Sequence, residues 1–150
     1  MADDRLKQLT KLKALQQLRL AREQAELGGL VARTAEAAGQ LRREEDLLAG
    51  DEARQLSLLS GDRFDPGELR LAGLVLEQQQ QATLLASRMV NEREREEQKS
   101  RQAVATCEAQ ADNVEEAFRK AHHKSIEKLA SALAIELAAL GASRAKRGQG

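Results

Sequence analysis

The chain has 150 residues, with 24 basic and 24 acidic side chains, 1% aromatics, no Trp or Tyr, and a single cysteine. Two Phe cannot fill the interior of a compact domain of this length, and a lone Cys107 excludes an internal disulfide and any cysteine-cluster zinc site. Ala, Leu, Glu, Gln, Arg and Lys dominate instead, a composition of long helices whose buried surface is a narrow Leu/Ala seam.

A first helix is predicted over about 3–60. Leu6, Leu9, Leu12, Leu15 and Leu18 recur every third residue, a spacing that drifts around a helix and implies a phase shift or a second contact face. Beyond them, Leu20, Leu27, Val31, Ala38, Leu41 and Leu48 recur at spacings of three, four and seven, which keeps one face apolar. Gly28-Gly29, Gly39 and Gly50 sit inside this helix, each costing roughly 1 kcal/mol against Ala. A bend or break is therefore expected near one of them. Asp51 could cap a separate short segment, so three helices are the structural alternative.

The only proline lies in Phe64-Asp65-Pro66-Gly67-Glu68-Leu69, which carries the signals of a helix start. Asp65 can accept free amide hydrogens, Pro66 suits the first helical position, Glu68 stands three residues after the cap, and Phe64 can staple onto Leu69. A turn over 61–65 then folds a second helix, about 66–140, back on the first. This helix opens with Leu69, Ala72, Val75 and Leu76, crosses the polar run Gln78–Gln81, and reaches Leu85 and Met89. Asn91–Gln102 has no aliphatic residue and reads as a solvated segment kept helical by propensity and close charge pairs. The stripe resumes as Val104, Cys107, Ala111, Val114 and Phe118 and continues as His122, Ile126, Leu129, Leu133, Leu137 and Leu140. Gly141 is expected to stop it, leaving 142–150 as a disordered basic tail.

The fold expected from these elements is all-α, a long antiparallel two-helix coiled-coil hairpin whose second helix overhangs the first. With the turn centred near Arg63, residue i faces roughly residue 126 minus i, which places Leu41 near Leu85, Leu20 near Thr106 and Leu6 near Lys120. The surplus, roughly His122–Leu140, then has no partner in the other arm, and exposed apolar stripes of this size mark interaction sites. Charge is polarised along the same axis: residues 1–22 carry net +4, residues 119–150 net +5, and the middle net −9. Such polarity favours insertion of the basic end into an acidic partner. The candidate partner-binding residues are Arg5, Lys7, Lys11 and Lys13 on the first helix and Ile126, Leu129, Leu133, Leu137 and Leu140 on the second.

Catalytic and cofactor chemistry finds little support in the sequence. His122 and His123 point about 100° apart on a helix with no third ligand at helical spacing, so no metal is expected. Cys107 lies on the apolar stripe and reads as a small buried residue rather than a nucleophile. Gly28-Gly29 lacks the lysine and strand of a phosphate loop, and basic residues without interleaved aromatics argue against nucleic acid. Met1–Thr10 is charged, without the apolar run of a signal peptide. Leu129–Leu140, interrupted by Ser131 and Glu136, is too short to span a bilayer. A cytoplasmic protein, peripheral to a membrane at most, with no enzymatic activity, cofactor or small-molecule substrate, is the expectation.

In layout, with Leu6-x-x-Leu9-x-x-Leu12-Lys13 opening a first helix of about 60 residues and a longer second helix behind it, the chain resembles the FliJ family of flagellar export ATPase stalk proteins and their type III secretion counterparts. The resemblance covers nearly the whole chain. It implies a non-enzymatic stalk and regulator whose basic terminal end enters the ring of a hexameric export ATPase, whose middle contacts the export-gate protein, and which escorts export chaperones. The absence of any aromatic before Phe64 departs from many family members and bears on the gate contact. The reading of a different class is a self-associating structural coiled coil or a helical adaptor without an ATPase partner.

Overall fold

The computed structural model describes residues 2–63 and 65–148. Two α-helices, α1 (Ala2–Ser60) and α2 (Pro66–Gly148), contact each other as an all-α hairpin, and the described residues contain no strand. The start of α2 follows from its cap. Asp65 Oδ1 accepts the Gly67 amide at 2.9 Å, and the Asp65 carbonyl accepts the Leu69 amide at 3.1 Å, closing the first helical turn. The proposed staple through Phe64 lies outside the described residues.

The glycines break neither helix. α1 runs unbroken through Gly28, Gly29, Gly39 and Gly50, and no glycine has a positive φ. α2 likewise continues past Gly141 to Gly148 rather than ending in a disordered tail. Two physical reasons favour the continuation: Ala138, Ala139, Ala142 and Ala145 are strong helix formers, and Lys146 and Arg147 in the last turn complement the negative end of the helix dipole.

The packed face of α1 is a strict alternation of threes and fours. Leu6, Leu9, Lys13, Gln16, Leu20, Glu23, Leu27, Leu30, Thr34, Ala37, Leu41, Glu44, Leu48, Asp51, Gln55 and Leu58 form it, with Ala38 and Gly39 half-buried beside it. No phase shift occurs among the N-terminal leucines. Leu6 and Leu9 join the seam, whereas Leu12, Leu15 and Leu18 face solvent and Lys13 and Gln16 take the inward positions. On α2 the matching face runs Leu69, Ala72, Leu76, Gln79, Thr83, Ala86, Val90, Arg93, Glu97, Ser100, Val104, Cys107, Ala111, Val114, Phe118, Ala121 and Ser125. Val31, Val75, Leu85 and Met89, expected on the seam, are exposed. The segment 91–102, expected to be solvated throughout, contributes Arg93, Glu97 and buried Ser100 to the packed face.

The contacts group into two units. Residues 23–104 form one, in which Gln79 Nε2 donates across the seam to Glu44 Oε2 at 2.5 Å and to the Glu44 carbonyl at 3.1 Å. Gln79 and Thr83 thus bracket position 82, the residue expected opposite Glu44. Leu85 does not meet Leu41, because it lies off the packed face. Residues 1–22 and 105–150 form the other unit, in which Lys13 Nζ sits 4.8 Å over the Phe118 ring.

Candidate functional site

The unit that joins the two chain termini holds every candidate partner-binding residue. Its seam brings Leu6, Leu9, Lys13, Gln16 and Leu20 of α1 together with Cys107, Ala111, Val114, Phe118, Ala121 and Ser125 of α2. Ser125 is the last shielded residue. Every residue from Ile126 to Gly148 is exposed.

Within that uncovered segment, Ile126, Leu129, Leu133, Leu137 and Leu140 are 50–68% exposed and share one helical face. The face is not a continuation of the seam. Phe118, His122, Ile126 and Leu129 follow at spacings of four, four and three, whereas the seam follows Phe118 with Ala121 and Ser125. Two successive fours act as a stutter, and at about 100° per residue they turn the stripe roughly a quarter of the way around α2 from the side that packs on α1. Near the start of the stripe, His122 stacks on Phe118, ring centroids 5.9 Å apart, and His123 Nε2 lies 3.1 Å from Glu127 Oε1.

The basic residues of α1 divide. Arg5, Lys7 and Lys11 are exposed, whereas Lys13 is half-buried with its Nζ over the Phe118 ring. Sequence reasoning missed a second basic feature. Lys120, Lys124 and Lys128 form a row at spacing four on α2, and with Arg5, Asn113 and Ser125 they line a groove of about 570 Å³. Glu116 supplies its one carboxylate and pairs with Lys120 at 3.3 Å, so the groove keeps a positive balance. The signal was available as three lysines at i, i+4 and i+8, which one helical face must carry together. At 100° per residue this row points to the side of α2 opposite the Leu129–Leu133–Leu137 stripe.

Among the described residues no three His, Cys, Asp or Glu side chains are grouped to hold a metal, and no helix is long and apolar enough to cross a membrane. Cys107 is buried in the seam. What this unit offers chemically is association: an uncovered apolar stripe on one side, a lysine groove on the other, and outward Lys7 and Lys11 on the neighbouring helix. No protein-family model, curated protein or solved structure matches the chain.

Proposed function

We propose that this protein is a non-enzymatic stalk and regulator of a flagellar or type III protein-export ATPase, working in the cytoplasm with its basic terminal end held inside the ATPase ring and assisting export. The observation that carries the reading is the distribution of contact groups around that end. A partner that docks on one side would need one sticky face, but here the apolar stripe and the lysine row lie on opposite sides of α2, with Lys7 and Lys11 facing out from α1. A ring surrounds what it binds and can use all of them at once. The layout shared with the FliJ family adds the export-gate protein and export chaperones as further partners.

In this reading the stripe supplies most of the holding energy, since burying a leucine is worth about 1.5–3 kcal/mol, and the exposed cations chiefly speed encounter with an acidic surface. The test uses the purified export ATPase of the same organism, with its hydrolysis rate measured with and without this protein. The rate should rise, with fewer than one chain bound per ATPase subunit. Reversing Arg5, Lys7, Lys11, Lys120, Lys124 and Lys128 to Glu should slow association, and more so at low salt, where exposed charges are least screened. An ATPase that neither binds the chain nor changes its rate would end the stalk reading.

A further inference from the structure

Two of the leucines that α2 leaves off its seam near the turn, Leu71 and Leu85, fall on one row with Val75 and Met89, whereas exposed Leu84 lies off it. Leu71, Val75, Gln78, Ala82, Leu85 and Met89 follow one another at spacings of four, three, four, three and four, a second heptad row on the same helix. Leu71 is 61% and Leu85 62% exposed, and Leu74 stands exposed beside them. A helix with two heptad rows is built to pack on two sides, and α1 covers only one.

Along the second row α1 presents Glu36, Gln40, Arg43, Leu47, Gly50 and Arg54, again at alternating fours and threes. The two rows face the same side of the hairpin. Asp51 and Arg54 line a cavity of about 230 Å³ with Leu71 and Val75, and Glu36 and Arg43 line one of about 370 Å³ with Met89. All of these residues belong to the unit of residues 23–104, none to the unit that carries the chain termini.

We infer that this face is a homodimer interface, occupied by a second copy of the chain in antiparallel two-fold arrangement. The row is self-complementary about its own centre. Turned end for end, Leu71 meets Met89 of the second copy and Val75 meets Leu85, so the four large apolar residues pair with one another, while Gln78 meets Ala82 at the centre. The charges on α1 agree with the same operation. Carried through the hairpin register, it brings Glu36 within about half a turn of Arg54 of the second copy and Arg43 within about half a turn of Asp51. At the outer limit Glu68 meets Glu92, a like charge that the neighbouring Arg93 offsets only in part. A parallel pair would instead set Arg43 on Arg43, Glu36 on Glu36 and Arg54 on Arg54, which like-charge repulsion disfavours. The pairing uses no residue of the lysine groove or of the Ile126–Leu140 stripe, so it stands whether or not the ATPase reading does.

Sedimentation equilibrium of the full chain should show a mass rising from one chain to two through the micromolar range. Leu85→Glu should weaken the association about tenfold or more, with circular dichroism unchanged because Leu85 lies off the seam. Orientation is read by cysteines in a Cys107→Ala background, which does not touch the face. Gln78→Cys and Ala82→Cys chains, mixed and oxidised, should cross-link, since a disulfide needs the two Cα atoms within about 7 Å. Leu71→Cys alone should not. A single-chain mass at every concentration, a dimer unaffected by Leu85→Glu, or Leu71→Cys linking to itself would overturn the proposal; should Leu85→Glu lose helicity, the cysteine pairs decide.

Discussion

Glu97 occupies a packed position yet stays charged, and its neighbours explain how. Arg101 donates from Nη2 at 2.6 Å and from Nε at 3.2 Å to Glu97 Oε1, and the Thr34 hydroxyl reaches the same carboxylate from α1. Arg101 first, then Thr34, hold the Glu97 carboxyl below its ordinary value of 4.5, against the opposing effect of partial burial. A carboxyl whose folded-state pKa is depressed adds stability that is fully present above its ordinary value and is lost as the pH falls through the lowered one. Thermal melts of the native chain and of Glu97→Gln should therefore differ at neutral pH, native being higher. The gap should close as the solution is taken well below 4.5. A gap that stays constant with pH would show that the charge of Glu97 does not support the seam. Glu44 plays a related part, bound across the seam by Gln79 and along its own helix by Gln40 Nε2 at 2.8 Å. Inward polar residues of this kind set the register of a coiled coil at some cost in stability.

At the scale of the helix, the glycines of α1 are a weakness that the fold tolerates. A Cβ built on Gly28 or Gly29 meets no atom within 4 Å, and both residues lie in regular helix. Each substitution Gly28→Ala and Gly29→Ala should raise stability by about 0.8–1 kcal/mol, read as a higher urea midpoint at unchanged slope. A lower midpoint would contradict a regular helical backbone at these two positions. The two helices, their turn and the Asp65 cap were all legible in the sequence, because each depends on chemistry within a few residues. The seam was legible only in part. Counting apolar residues found Leu20, Leu27, Leu41 and Leu48 but also admitted Val31, Val75, Leu85 and Met89, and it passed over Lys13, Gln16, Glu44, Gln79 and Glu97. Position in a seam is set by phase, and extending the threes and fours of Leu6, Leu9, Leu20, Leu27 and Leu30 through polar residues would have recovered it. The error at Gly141 has the other cause: a glycine ends a helix only where the chain takes a left-handed turn, and its neighbours here favour continuation.

For the whole molecule, little is buried. Only Val104, Cys107 and Ser100 fall into the buried class among the described residues, so the hairpin rests on many half-covered seam positions rather than on a core. The uncovered stripe near the C-terminus adds nothing to that seam, which separates what folds the chain from what the ring account asks it to hold. The stripe residues and the row of Lys120, Lys124 and Lys128 were both identifiable from sequence, and only the addition of Arg5 to that row required the helix pairing to be seen. The most direct measurement is the hydrolysis rate of the export ATPase in the presence of the Leu129→Gln, Leu133→Gln, Leu137→Gln triple variant, shown by circular dichroism to melt as the native chain does. The account predicts a folded protein that no longer raises the rate, because burial of roughly 1.5–3 kcal/mol at each of the replaced leucines has been removed from the complex. A folded triple variant that stimulates the ATPase as well as the native chain would contradict it.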